Sequence, residues 1–221
     1  MTTQKTYLAD ICWTLYKSNT TQDFIDFVVS DPTYLRLRRM YRHRLFRRAL
    51  HVWFRLTGTD PWRRYVVSRL QGMSRKQLRD SSEAFIHSLE NKKVKEVWKL
   101  LDKADEIVLV SSTLGPVAQA VAKQMPVPPV MVTASGLEYE NEIFTGHIAD
   151  DKLKCKLTDE QLSQWKPFTV ITDNFTDLNI IAQAEEAYIV TYNNRPLWQH
   201  RLGRLGNLPQ IHYIETDGEH Y

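Results

Sequence analysis

Leu8-Ala9-Asp10-Ile11-Cys12-Trp13-Thr14-Leu15 decides the fold of this 221-residue chain. Leu8 to Trp13 begins as a short mixed run suited to a first buried strand, and Asp10 places a carboxylate within it. An aspartate after a strand is more often a helix cap than a catalyst. Two later segments change its meaning. Ile107-Val108-Leu109-Val110 is a β-branched run ending at Ser111-Ser112-Thr113, and Phe168 to Ile171 is another strand, closed by Thr172-Asp173. Strands also fit Val130 to Thr133, Tyr188 to Thr191 and His212 to Ile214, with helical patterns at Val94 to Leu101, Gly115 to Met125 and Asp177 to Glu185. Strands alternating with helices predict a parallel sheet covered on both faces. Ligands of such sheets sit at the carboxyl ends of the strands, where Asp10, Ser111 and Asp173 all fall.

Residues from about 18 to 90 read differently, as wholly helical. Ser18-Asn19-Thr20-Thr21 can cap a helix carrying Phe24, Phe27, Val28 and Val29. From Tyr34 to Leu56, Leu37, Met40, Tyr41, Leu45, Leu50, Trp53 and Phe54 alternate with arginines in one helical rhythm. Asp60 then Pro61 form a cap and first helical residue, and Ser74 caps a further helix with Leu78, Phe85 and Leu89. Downstream, Leu137 to Ile148 fits a hairpin with Glu140-Asn141-Glu142 at its tip. Thr158 caps a helix through Trp165, with Gln161 completing a capping box.

Hydrophobic residues at 43% allow one substantial core, or a core with a small accessory domain, and charged residues at 25% are ordinary for a globular protein. No apolar run approaches the roughly 18–20 residues that span a bilayer, and Met1-Thr-Thr-Gln-Lys lacks a signal peptide's apolar stretch. Cys12 and Cys155 form no disulfide or metal-ligand pattern. A reducing cytoplasm is the expected location. The net charge is only +3, yet Arg36, Arg38, Arg39, Arg42, Arg44, Arg47 and Arg48 crowd one segment, followed by Arg55, Arg63, Arg64 and Arg69. Such a block can meet phosphate, an anionic membrane or an acidic partner; nucleic acid is the less expected partner. The simpler alternative is a solvated face whose arginine stems pack on aromatic neighbours.

Asp10-Ile11-Cys12-Trp13-Thr14-Leu15 resembles the first motif of the haloacid dehalogenase superfamily, Asp-x-Asp-Gly-Thr-Leu. Ile107 to Ser112 is similar to its second motif, and Thr172-Asp173-Asn174-Phe175-Thr176-Asp177-Leu178 to its fourth. Leu137 to Glu140 with Phe144 to Ile148, Leu70 to Arg75, and Val190 to Leu197 resemble segments of the phosphoserine-phosphatase-like branch. The resemblance implies a Rossmann-like α/β core over residues 1–17 and 91–221, with an inserted all-helical cap over 18–90. It implies a Mg²⁺-dependent phosphomonoester hydrolase acting on a small phosphorylated substrate. Asp10 would attack phosphorus to form an aspartyl-phosphate, and Ser111 would hydrogen-bond a phosphoryl oxygen. Mg²⁺ would be held by Asp10, Asp173 and the backbone carbonyl of Cys12, with Asp177 supporting the site directly or through its neighbours. Lys152, Lys154 and Lys156 compete to neutralise the phosphoryl group; Lys156, just ahead of the helix capped by Thr158, matches the family's placement.

The first motif departs from the pattern twice. Cys12 replaces the aspartate that protonates the leaving alcohol and activates water; as a catalytic residue its thiol could donate a proton, but it is a poor base for water. General acid–base catalysis is typically worth ~10²–10⁴-fold, so turnover is expected to be slowed by about that range. Trp13 replaces glycine, so a glycine-dependent backbone there would be strained. Asn19 stands where phosphoserine phosphatases carry an acidic residue, which argues against phosphoserine itself. Three alternatives follow: a catalytically silent binder of a phosphorylated ligand, a branch with carbon–phosphorus or carbon–halogen chemistry, and surface recognition through Tyr34 to Leu56.

Overall fold

The computed structural model of the chain describes residues 4–41, 43–206 and 208–217. Arg42 and the side chains of Arg44 and Arg47, part of the arginine block, lie outside the described residues. The chain opens with strand β1 (Thr6–Ala9) and continues through five helices: α1 (Thr20–Val28), α2 (Pro32–Tyr41), α3 (Arg44–Thr57), α4 (Pro61–Ser68) and α5 (Arg75–Ser88). Helix α6 (Lys95–Leu101), β2 (Glu106–Leu114) and α7 (Gly115–Ala122) follow, then the hairpin β3 (Met131–Glu140) and β4 (Ile143–Asp150). The remainder is α8 (Asp159–Ser163), β5 (Phe168–Thr172), α9 (Leu178–Ile181), β6 (Glu186–Thr191), α10 (Arg195–Leu202) and β7 (Gln210–Glu215).

The described strands form one sheet in the order β4-β3-β2-β1-β5-β6-β7, parallel except for the antiparallel β3–β4 hairpin. The α/β class expected from alternating elements is therefore found. β1 sits at the centre, with Ala9 level with Leu109 on β2 and Ile171 on β5. Side chains alternate across the sheet with the two-residue period of strands. Tyr7, Ala9, Ile107, Leu109 and Ile171 pack on one face, with Val97 of α6 and Val117 and Val121 of α7. Leu8, Val108, Val110, Val170 and Ile189 pack on the other, with Leu162 of α8, Ile180 of α9 and Trp198 of α10.

The helical segment between β1 and β2 is anchored to the first of these layers. Phe24 and Ile25 of α1, Val66 of α4, and Leu78, Phe85 and Ile86 of α5 join the same buried cluster as Leu114, Val117 and Val121. The expected caps operate. Asn19 accepts from Gln22 N–H, Asp60 from Arg63 N–H, and Ser74 and Thr158 form capping boxes with Gln77 and Gln161.

Four segments differ from the sequence expectation. The single rhythm from Tyr34 to Leu56 is two helices, because Tyr41 stacks flat on Trp62 at 4.4 Å and His43 turns extended before α3 begins. β3 runs unbroken through Ser135 and Gly136, which pair with Leu114 and Asp150 and join the expected strand to the expected hairpin. The helix expected over Asp177 to Glu185 is shortened to α9, and Arg195–Leu202 is a helix with Pro196 in its first turn that the sequence reading does not mark. Among the described residues, no helix is long and apolar enough to cross a membrane.

Candidate active site

Asp10 is the first residue beyond β1, and its N–H still donates to Ile171 O at 3.0 Å, so the central sheet fixes its backbone. Its Oδ1 accepts from Ile11 N–H at 2.6 Å and its Oδ2 from Lys156 Nζ at 2.6 Å. Lys156 Nζ also donates to Asp177 Oδ2 at 2.7 Å, an oxygen that accepts from Thr172 Oγ1 at 2.7 Å as well. The side chains of Lys156, Asp10 and Asp177 are only 3–4% exposed. Of the three candidate lysines, Lys156 is the one placed against Asp10. Lys152 pairs with Asp150, and Lys154 lies against Gly58 on the helical segment.

Asp173 follows β5 and is coupled to the first motif through Thr14. Thr14 Oγ1 donates to Asp173 Oδ1 at 2.9 Å and accepts from Asp173 N–H at 3.0 Å. Asp10 and Asp173 both face a cavity of about 850 Å³ between the strand ends and the helical segment. Cys12, Trp13, Asn19, Arg38, Arg63 and Ser112 line it too. Ser111 is fully buried near the end of β2, its Oγ accepting from Thr113 N–H at 3.3 Å, while the neighbouring Ser112 faces the cavity wall. Lys156 and Asp177 stand behind Asp10, off that wall.

The two departures from the usual first motif have structural consequences. Trp13 adopts φ 55°, the left-handed region that glycine enters freely and other residues enter at a cost. Its carbonyl accepts from the Tyr192 hydroxyl at 2.7 Å and its ring meets the Tyr192 ring edge-on at 5.4 Å, which holds it there. Cys12 Sγ lies 2.8 Å from Thr20 Oγ1. The Thr20 hydroxyl also reaches Thr113 Oγ1 at 2.8 Å, so Cys12, Thr20 and Thr113 form one buried chain of polar groups.

Electrostatics sort the groups further. Burial raises the Cys12 thiol above its ordinary range, and the Asp10 charge adds to the shift, so sulfur stays protonated at neutral pH. Burial alone would pull Lys156 down, but the Asp10 and Asp177 carboxylates more than offset it and hold the ammonium above its usual range. Burial raises Asp177 to about 6, against the lowering pull of Lys156. Two buried carboxylates thus share one buried ammonium, with the Asp173 carboxylate on the adjoining cavity wall. Among the described residues no set of three or more His, Cys, Asp or Glu side chains is arranged to hold a metal. Two carboxylates are nonetheless enough for magnesium, which takes its remaining ligands from water and phosphate. The oxygen donors of Asp10 and Asp173 on one cavity, with anionic charge in excess, fit such an ion.

Arg63 carries a role that its place among many arginines conceals. On α4 it is 8% exposed, and it reaches across to the strand ends. Its Nη2 donates to Ser112 O at 2.6 Å and Ser135 Oγ at 2.9 Å, while Nε pairs with Asp151 at 3.2 Å. One guanidinium therefore ties the helical segment to β2 and β3 and lines the cavity. Its position one turn inside the helix capped by Asp60 was visible in the sequence, but its burial was not.

Structures of known proteins share this arrangement of elements. A protein of unknown function from Bordetella pertussis Tohama I superposes with TM-score 0.68 at 16% identity, over 95% of this chain and 98% of that one. A phospho-aspartyl intermediate analogue of phosphoserine phosphatase gives 0.55 at 13% identity, over 96% and 94%. Cytosolic 5'-nucleotidase IIIB bound to cytidine gives 0.56 at 11% identity, over 97% and 81%. At these identities the likeness is one of fold. No curated protein matches the sequence. The haloacid dehalogenase-like hydrolase model, however, matches residues 8–178, a span that begins at the strand before Asp10 and ends one residue beyond Asp177, and the chain belongs to that family.

Proposed function

We propose that this hydrolase cleaves phosphomonoesters through an aspartyl-phosphate on Asp10, with turnover limited by its altered first motif. The observation that carries the reading is Lys156 bridging Asp10 and Asp177 at the carboxyl ends of the central strands. In this mechanism a carboxylate oxygen of Asp10 attacks phosphorus and the ester oxygen leaves. Lys156, held by Asp177 and charged throughout the neutral range, balances the phosphoryl oxygens. Ser112, on the cavity wall at the end of β2, would contact the same oxygens, with Ser111 buried behind it. Asp10, Asp173 and the backbone carbonyl of Cys12 would hold Mg²⁺, which when bound lets two anions approach one another. Arg38 and Arg63 stand in the cavity wall, paired with Asp26 and Asp151. The paired-off thiol of Cys12 supplies no base, so water attacks the intermediate without the usual help.

That last feature also favours a second reading, a silent binder of a phosphorylated ligand. One experiment separates them: phosphate release from a broad panel of phosphomonoesters with Mg²⁺, beside Asp10→Asn. Release that the variant abolishes supports hydrolysis. Ligand-induced thermal stabilisation without any release supports the silent binder. No release and no stabilisation would sink both.

A further inference from the structure

We infer that helix α3 is an in-plane docking surface for an anionic lipid bilayer. Between Pro32 and Thr57 the sequence carries eight arginines and no aspartate or glutamate. On α3, Leu45, Ala49, Val52, Trp53 and Leu56 recur at the i, i+4, i+7, i+8, i+11 spacing that stacks them on one face. That face is bare: Leu45 is 78% and Leu56 81% exposed, and Ala49, Val52 and Trp53 are exposed with them. Leu50, on a different side of the helix, packs toward the buried cluster, so α3 is attached through one side and presents the other. Arg48 and Arg55, a repeat of seven apart, flank the apolar stripe and are exposed as well.

An apolar stripe holding Trp and Leu, bordered by arginine and free of acidic residues, is the pattern of a helix lying in a membrane interface. At 14 residues, α3 is roughly 21 Å long at about 1.5 Å per residue, too short to span a core of about 30 Å. Other occupants fit less well. A second copy docked stripe to stripe would bring arginine onto arginine with no acidic partner on the helix. Nucleic acid would use the arginines but leave the Leu–Trp stripe in water. Anionic lipid answers both features at once. The preceding helix α2 lends Arg38 and Tyr41 to the cavity wall, so docking through α3 would hold the cavity close to the bilayer.

The test reads partitioning, not turnover, and so stands apart from the phosphatase reading. The full chain is sedimented with vesicles of phosphatidylcholine alone and of phosphatidylcholine mixed with phosphatidylglycerol. Binding is expected only to the mixed vesicles and should collapse as salt shortens the screening length from about 30 Å at 0.01 M to about 3 Å at 1 M. Each arginine near an anionic surface is worth about fivefold in partitioning, so Arg48→Glu with Arg55→Glu should weaken binding by at least tenfold. Leu45→Gln, Trp53→Gln and Leu56→Gln together should abolish it without lowering the unfolding temperature. Quenching of wild-type tryptophan fluorescence by brominated lipid, lost in Trp53→Phe, checks the contact in a variant that keeps the stripe apolar. The inference is overturned if the mixed vesicles are not bound at low salt. It is equally overturned if duplex DNA is bound more tightly than they are, or if the triple variant dissolves a dimer while vesicle binding persists.

Discussion

The Lys156 ammonium stands 2.6 Å from Oδ2 of Asp10, with both side chains almost sealed from solvent. The pair is 146 residues apart in the chain and closes the sheet's central strand onto the segment ahead of α8. Breaking a buried pair by removing one partner costs about 3–5 kcal/mol, because the remaining charge stays buried without compensation. Lys156→Met removes the partner of two carboxylates at once. The variant should therefore unfold at a markedly lower urea midpoint with an unchanged slope. A loss below about 1 kcal/mol would show that the fold does not depend on this ammonium.

Asp177 gives the site an acid limit. Burial, reinforced by the Asp10 charge, raises its carboxyl to about 6, while Lys156 stays charged across the whole range. As pH falls through about 6, Asp177 takes up a proton and loses its ionic hold on Lys156. Phosphate release should therefore decline below pH 6 and be restored on returning to pH 7. Asp177→Asn, neutral at every pH, should lower activity at pH 7 and flatten that acid limb. An acid limb left unchanged by the substitution would assign it to another group.

Much of this arrangement was legible in the sequence, and the rest was hidden for definable reasons. The strands carrying Asp10, Ser111 and Asp173 were visible because central parallel strands are buried on both faces and read as apolar runs. The caps at Asp60, Ser74 and Thr158 were visible because capping is local chemistry. The break between α2 and α3 was not, since apolar residues and arginines keep one rhythm straight through it. At the end of α2, Tyr41 stacks on Trp62, a tertiary contact that the helical rhythm does not reveal. Arg63 was indistinguishable from its neighbours, because only the approach of β2 and β3 buries it. The hold of Asp177 on Lys156 likewise spans 21 residues and exists only once β5 is in the sheet.

Arg63 makes a prediction of its own. Its guanidinium spans Ser112 O, Ser135 Oγ and Asp151, a geometry that a single ammonium cannot reproduce. Arg63→Lys keeps the charge but must surrender at least one bond to a charged donor, worth about 1.5–3 kcal/mol. Thermal unfolding should fall accordingly, and amide exchange in α4 should accelerate more than in β1. Uniform acceleration across the chain would mean that Arg63 does not tie the helical segment in particular.

Trp13 separates backbone strain from side-chain packing. Trp13→Ala and Trp13→Gly both lose the edge-on contact with Tyr192, and both keep the carbonyl that its hydroxyl meets. They differ at φ 55°, where a Cβ costs about 1–2 kcal/mol. Glycine gives back roughly 0.5–1 kcal/mol of that through its freer unfolded chain. The glycine variant should thus be the more stable of the two by up to about 1.5 kcal/mol in denaturant unfolding. If alanine is equal or better, the left-handed turn is not the reason glycine suits this position.

Cys12 is where activity can be gained. Its thiol is raised by burial and stays protonated at neutral pH, so it cannot take a proton from water. Cys12→Asp would place a carboxylate within reach of the Thr20 hydroxyl and supply the missing base, worth about 10²–10⁴-fold. The substitution also adds a negative charge beside Asp10 and Asp173, in a site that already gathers more buried carboxylates than ammonium groups. The variant should therefore be less stable than the parent without a divalent cation and regain that stability as Mg²⁺ is added. Phosphate release in Mg²⁺ should rise by about a hundredfold or more. A rise in stability with Mg²⁺ but no rise in release, even with Trp13→Gly added to open the turn, would mean that hydrolysis is not limited by a missing base. The silent-binder reading would then be the better one.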